Sequence, residues 1–274
     1  TGRNFCNSLA LTGRAWPAKP APMLDLRPVG YVIGLLVTAM GVAMLGPLLF
    51  DLVEGDPEWK TFLQSAAITI SAGLSLALSC ASGAKSGLNI RLAFILTTVA
   101  WVAMPIFGAI PFLLGETELR FVDAVFESMS GMTTTGATAI EGLEFHSYGI
   151  LLWRGILQWL GGLGIVIVAM IFLPVMKVGG MQFFQSEGFD TLGKSLPRAL
   201  DIAKGLLWTY VSLTVICALA YFIAGMNAQE SIVHAFTTIA TGGYSTSDAS
   251  FVAFPGAPQY VAALFMFLAS VPFI

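Results

Sequence analysis

Charge is what this 274-residue chain has least of. Only 11% of its residues are Asp, Glu, Lys or Arg, while 56% are hydrophobic and the mean hydropathy is +0.81. Soluble domains carry about 25% charged residues, so a soluble core is excluded and a membrane protein is expected. Cysteine is scarce too. Cys6, Cys80 and Cys217 are odd in number and widely spaced, which excludes a disulfide framework and a zinc pattern and leaves small apolar residues in or near helices. His146 and His234 are the only histidines and lie in unlike settings, so a histidine-based metal site is not expected. An intramembrane protease would need a serine–histidine pair or two membrane-embedded aspartates. No G-x-S-G or G-x-G-D motif is present, and Ser128 and Ser130 have no histidine in the same span. No catalytic residue, cofactor or nucleic-acid partner is expected.

Long apolar runs are what the chain has instead. Residues 1–22 precede them as a basic, Pro- and Ala-containing leader without the apolar core of a signal peptide. The leader is expected to be non-native or disordered, with Met23 as the natural start. Two leading spans follow within 23–91, at Val29–Phe50 and Thr61–Cys80, the first long enough to cross about 30 Å of hydrocarbon. A third, Leu92–Leu114, carries Pro105 and Pro111, which predict a kink or an early helix end. A fourth, Gly149–Leu173, is expected to stop at Pro174 and give way to a polar segment, Met176–Ala203. The fifth span is Gly205–Gly225, and a sixth run starts near Gln259. From Tyr260 to Ile274 a helix reaches only about 22 Å, so the chain is expected to be the N-terminal part of a longer protein.

Basic residues set the expected orientation. Arg3, Arg14, Lys19, Arg27, Lys85, Arg91, Lys177, Lys194, Arg198 and Lys204 fall on one side of the six-span scheme, Lys60 and Arg120 on the other, and Arg154 within a span. The positive-inside rule then places the N-terminus in the cytoplasm. Except for Asp25, Glu187, Asp190 and Asp201, the acidic residues lie on the outer side. Two readings of that asymmetry stand open: an acidic vestibule that concentrates cations, and ordinary loop solubility.

Between the third and fourth spans lies FVDAVFESMSGMTTTGATAIEGLEFH, residues 121–146, too short and too polar to cross a bilayer. Val122–Met132 predicts a short amphipathic helix with Asp123 and Glu127 near its start, and Thr133–Thr138 predicts an extended segment with Gly136 where a helix stops. Sliding the chain by 107 residues brings QESIVHAFTTIATGGYSTSDASF, residues 229–251, onto it. Asp123 then falls on Glu230, Val125 on Ile232, Thr134 on Thr241, Gly136 on Gly243 and Thr138 on Ser245. Each insert has an acidic start, about three apolar turns, then Thr-x-Gly and a hydroxyl residue, in the same slot between two spans. Repetition of this kind marks a fold built by internal duplication.

The residue types fit an ion-conducting re-entrant loop. A dehydrating potassium ion needs backbone oxygens in place of water, and glycine permits the angles that turn successive carbonyls one way. Thr134 and Thr241 can add a hydroxyl oxygen or pin the loop. The negative end of each short helix would face the cation, while Asp123 and Glu230 suit the positive end. A buried polar turn without an ion stays open as the alternative.

At SMSGMTTTGAT (128–138), WRGILQWLGGLGIVI (153–167) and FTTIATGGYSTSDASF (236–251) the chain resembles the TrkH/KtrB superfamily of potassium transporters, and its TrkH branch closely. The similarity runs from about Met23 to Ile274. It implies an all-α polytopic membrane protein of potassium-channel-like architecture, with helix–pore loop–helix repeats. The first repeat would occupy 92–200 and the second, with its last helix incomplete, 201–274. The family's filter positions fall on Thr134, Thr135, Gly136, Ala137 and Thr138, and on Thr241, Gly242, Gly243, Tyr244 and Ser245. Potassium would be held at Thr134, Thr135, Thr241 and Gly242. The resemblance further implies potassium uptake across a bacterial inner membrane, by a channel or by symport. Its implied partners are membrane lipid, a cytosolic nucleotide-binding regulatory subunit of the TrkA type, and a second copy in a homodimer. Two loops cannot surround an ion as four do, so residues 1–274 alone should not conduct. Competing readings are the channel subunit of a potassium-pumping ATPase and a non-conducting scaffold.

Two further features carry expectations. Arg154, one turn in from the outer end of its span, is expected either to pair or snorkel, or to take part in permeation. Gly161, Gly162 and Gly164 are expected to let helices approach closely.

Overall fold

The computed structural model describes residues 25–85, 90–176 and 195–271; the expected leader, Cys6, Lys177 and Lys194 lie outside them. Among the described residues every regular element is helical. Helices α1 (Arg27–Ala43) and α2 (Leu45–Glu54) run on as one 28-residue apolar stretch, and α3 (Trp59–Ser79) returns beside them. Lipid tails are as apolar as leucine, so helices in a bilayer associate through close packing instead of water exclusion. The α1–α3 contact shows this: a Cβ on Gly34 would lie 2.5 Å from the Ala77 nitrogen, and one on Gly73 2.6 Å from the Thr38 nitrogen. Replacing either glycine forces the two helices apart.

The third span breaks as its prolines predict. Helix α4 (Ile90–Gly108) contains Pro105, and α5 (Ile110–Leu114) restarts with Pro111 in its first turn, where a missing N–H costs nothing. The break leaves the Gly108 carbonyl to accept from the indole of Trp153 at 2.9 Å. Short helix α6 (Phe121–Met132) follows, then the long α7 (Tyr148–Met176), α8 (Ser195–Ile223), a second short helix α9 (Ala228–Ile239) and α10 (Ala257–Ser270). Candidate spans by length and composition are Arg27–Glu54, Trp59–Ser79, Arg91–Leu114 and Lys204–Ile223. Their outward side chains, such as Leu36, Ile68, Val102 and Phe222, are exposed, as suits lipid contact. The chain is a multi-pass membrane protein.

Several boundaries differ from the sequence reading. Helix α7 continues past Pro174 to Met176, and α8 starts at Ser195 instead of Gly205. The α8 start is sterically allowed because Pro197 falls in its first turn. Asp51 was expected in an outer loop, yet it lies buried in α2 and accepts the Gly149 N–H at 2.7 Å. A carboxylate at that place meets the positive end of α7, which draws it inward.

Two buried clusters organise the rest. Met40, Phe62, Phe112, Trp153 and Leu157 seat α6 among α1, α3, α5 and α7. Tyr210, Cys217, Tyr221, Ile239 and Phe265 seat α9 among α8 and α10. Each short helix is thus held inside a cradle of other helices.

Candidate functional site

The two short helices correspond in sequence register. Phe121–Met132 and Ala228–Ile239 are both 12 residues long and 107 residues apart. At the α9 start, Asn227 and Glu230 form a reciprocal capping box, while at the α6 start Asp123 sits in the first turn and pairs with Arg120 at 2.7 Å. Both acids therefore lie at the positive helix ends, as the sequence suggests.

The exits repeat bond for bond. Thr133 N–H donates to the Met129 carbonyl, Thr134 to Gly131 and Thr135 to Ser130; Ala240 donates to Phe236, Thr241 to Thr238 and Gly242 to Thr237. Thr134 and Thr241 have φ of 54° and 55°, and Gly136 and Gly243 have φ of 80° and 76°. A threonine with positive φ is strained and persists only where its surroundings impose it. Left-handed residues two apart rotate successive peptide units, the condition for carbonyls to share one direction. The C-terminal ends of both helices open into these segments. The loops also touch: a Cβ on Gly136 would run into the Gly242 carbonyl oxygen.

Not all ten expected filter residues occupy equivalent places. Thr135, Ala137, Thr138, Thr241 and Gly243 are exposed, and Thr134 and Gly136 half-buried. Gly242, Tyr244 and Ser245 are buried. Tyr244 lies behind the loops, its hydroxyl 2.9 Å from the Glu127 carbonyl and 3.2 Å from that of Ala137. Ser245 turns its hydroxyl to His234 Nε2 at 3.1 Å, while His234 Nδ1 donates to the Glu230 carbonyl at 2.8 Å. A carbonyl can only accept, so Nδ1 carries the proton and the neutral ring takes the serine proton at Nε2. Side chains of Tyr244 and Ser245 thus support the loop, and only their backbone remains a candidate ligand.

Behind the first loop stands an ion pair of which the sequence reading anticipated only that Arg154 would have a partner. Glu127 was read as an acid near the helix start; it is mid-helix and 0% exposed. Its carboxylate accepts from Arg154 Nε at 2.7 Å, from the Ala139 N–H at 2.7 Å and from the Thr138 hydroxyl at 3.0 Å. Arg154 is 1% exposed, which selects pairing over snorkelling. Its remaining nitrogens donate to the Thr138 hydroxyl and the Ser245 carbonyl, both at 3.0 Å, and its guanidinium stacks 4.1 Å from the Tyr244 ring centroid. Gln158, absent from the sequence reading, accepts the Tyr244 N–H at 3.3 Å and packs against Gly242. The α7 spacing of Arg154, Gln158, Gly161 and Gly162, one face at i, i+4 and i+7/8, was the signal that could have found it. Of the three glycines expected at close contacts, Gly161 and Gly162 lie against the Met132 carbonyl and Ala240, the ends of α6 and α9, whereas a Cβ on Gly164 would meet nothing within 4 Å.

Beyond the filter segments the two loops are stapled together. Asp248 accepts the Gly142 and Leu143 N–H groups at 2.7 and 3.1 Å. Glu144 accepts the Ser247 hydroxyl at 2.5 Å and the Asp248 N–H at 3.0 Å. These bonds hold both carboxyls below their usual range, Glu144 chiefly through Ser247 and Asp248 chiefly through Leu143 and Gly142. Among the described residues no group of three His, Cys, Asp or Glu could hold a metal.

Known proteins resemble this chain in sequence and in fold. The chain is 40% identical over 249 residues to the Trk system potassium uptake protein TrkI of Halomonas elongata, covering 90% of this chain and 50% of that protein. It is 40% identical over 230 residues to TrkH of Escherichia coli K12, covering 83% of this chain and 47% of the other. The crystal structure of the potassium transporter TrkH from Vibrio parahaemolyticus matches with a TM-score of 0.81 at 34% identity, over 91% of this chain and 51% of that one. The chain spans about half the length of these relatives. Their names do not favour the pump-subunit or scaffold readings. The family model described as TrkH, a cation transport protein, matches residues 58–274, and the chain belongs to that family.

Proposed function

We propose that this chain supplies two of the four walls of a potassium filter and that the whole protein takes up potassium across a bacterial inner membrane. One observation carries the reading: two loops 107 residues apart repeat the same left-handed positions, 134 and 136, 241 and 243, and touch at Gly136 and Gly242. Backbone carbonyls at Thr134, Thr135, Thr241 and Gly242 are the proposed ligands, replacing the ion's hydration shell. The negative ends of α6 and α9 add an attractive field there. Thr138 and Ser245 close the filter segments, with Ala137, Gly136, Gly243 and Tyr244 shaping the backbone between.

The division into two leading helices and two helix–pore loop–helix repeats, 92–200 and 201–274, belongs to this reading. So do a cytoplasmic N-terminus, a nucleotide-binding regulatory subunit, a homodimer and lipid around the spans. The relatives named as Trk system potassium uptake proteins support it. Rubidium flux into vesicles bearing the full-length protein is the test. Flux that saturates and excludes sodium is expected, and its dependence on a pH gradient separates symport from a channel. Absence of cation flux would contradict the proposal.

A further inference from the structure

We propose that Glu127 and Arg154 form a charge-balanced clamp that ties the filter ends of both repeats and sets the affinity of the pore for its cation. The inference rests on the filter reading above and adds to it two residues outside the filter segments.

Arg154 is fixed on α7, a helix of the first repeat, yet it reaches both loops. One nitrogen bonds Glu127, a second the Thr138 hydroxyl, and a third the Ser245 carbonyl of the second repeat. The Tyr244 ring lies under its guanidinium plane. Positions 138 and 245 correspond at the 107-residue offset, so one side chain holds the same point in both loops. Arginine suits this because its planar fork offers donors in several fixed directions; a lysine ammonium on a flexible stem does not.

The charge matters as much as the geometry. Arg154 places a full positive charge one hydrogen bond from a proposed filter residue, in a setting where low dielectric strengthens Coulomb forces. Left alone, that charge would repel the cation the filter must admit. Glu127 cancels it at 2.7 Å. Stability alone does not account for the pair, since a buried ion pair is often replaceable by apolar residues without loss. The pair keeps a forked donor beside the filter without its electrostatic penalty.

Opposite-signed effects follow from the two halves of the pair. In the full-length protein, Glu127→Gln leaves Arg154 uncompensated and should raise the KM for rubidium uptake about tenfold. Arg154→Gln leaves the carboxylate uncompensated and should lower KM by about as much, with weaker discrimination against sodium. The double variant Glu127→Gln/Arg154→Gln restores neutrality and should return KM to within about threefold of wild type. Arg154→Lys keeps the charge but cannot span Thr138 and Ser245, so KM should hold while potassium-over-sodium preference falls. Each variant is read after size-exclusion chromatography shows a monodisperse protein, and Arg154→Lys serves if Arg154→Gln does not fold. Single variants that shift KM in the same direction, a double variant no better than the worse single, or unchanged ion preference in Arg154→Lys would overturn the clamp. A wild-type protein without cation flux would instead overturn the filter reading, and the clamp with it.

Discussion

The two pore loops share a backbone and differ in what stands behind it. Their helices, exit hydrogen bonds and left-handed residues coincide at a shift of 107. Behind position 138 stands the carboxylate of Glu127; behind position 245 stands the imidazole of His234. Arg154 backs the first loop, and its counterpart in the second repeat is Val261. Tyr244 wedges against both loops, and its counterpart is Ala137. The lesson concerns which layer carries which duty. On the proposed filter reading, backbone geometry repeats because every wall must present oxygen alike, whereas the supporting side chains have only to fix that geometry and are free to differ. The first loop is held by both members of the ion pair, whereas the second shares one Arg154 donor and otherwise rests on neutral hydrogen bonds and bulk.

The contrast breaks most sharply at the glycines. Gly136→Ala drives a methyl into the Gly242 carbonyl and strains a positive φ, whereas Gly243 has open space and the strain alone. Gly136→Ala should cut rubidium uptake by the full-length protein about a hundredfold. Gly243→Ala should cost about 1–2 kcal/mol of backbone strain and lose much less flux. Equal losses would show that the loops do not touch as described.

Next come the buried supports. Glu127→Ala strands the Arg154 charge and should destabilise the protein by about 3–5 kcal/mol, read as a fall in the thermal midpoint in detergent. His234→Ala unpairs the Ser245 hydroxyl and should cost about 1–3 kcal/mol. If His234→Ala were the worse of the two, the ranking of the carboxylate behind position 138 above the imidazole behind position 245 would fail. Tyr244→Phe removes only a hydroxyl near two carbonyls, an expected loss of about 1 kcal/mol in the same melt.

The smallest effect concerns the staple that joins the loops. Glu144 and Asp248 have lowered pKa values in the folded protein. Their contribution is therefore present above the ordinary carboxylate range and is lost as pH falls through the lowered values. Protection of the Gly142 and Leu143 amides, taken relative to intrinsic exchange at each pH, should fall in acid, and Asp248→Asn should remove that pH dependence. Protection factors indifferent to pH in the wild-type protein would count against the staple.

What could be read beforehand divides along the same line. Thr-x-Gly at a fixed offset marks the repeated backbone because only certain residues tolerate the required angles, so a linear string reveals it. Pro105 and Pro111 announce the break in the third span for the same local reason. The supports are another matter. Glu127 and Arg154 are 27 residues apart, Arg154 and Ser245 are 91 apart, and no local rule joins them. An acid in a short amphipathic helix looks solvated until its neighbours are known, and Asp51 misleads in the same way. Tyr244 was read as a filter residue from its place in the motif; its side chain packs behind the loop, its hydroxyl on two carbonyls and its ring on Arg154, which leaves only its backbone as a candidate.

The central claim is that carbonyls of both loops face one ion. Rubidium or thallium soaked into crystals of the full-length protein tests it directly through anomalous density. The account predicts a peak shared by the carbonyls of Thr134, Thr135, Thr241 and Gly242. A peak held by side chains, or by one loop without the other, would contradict it.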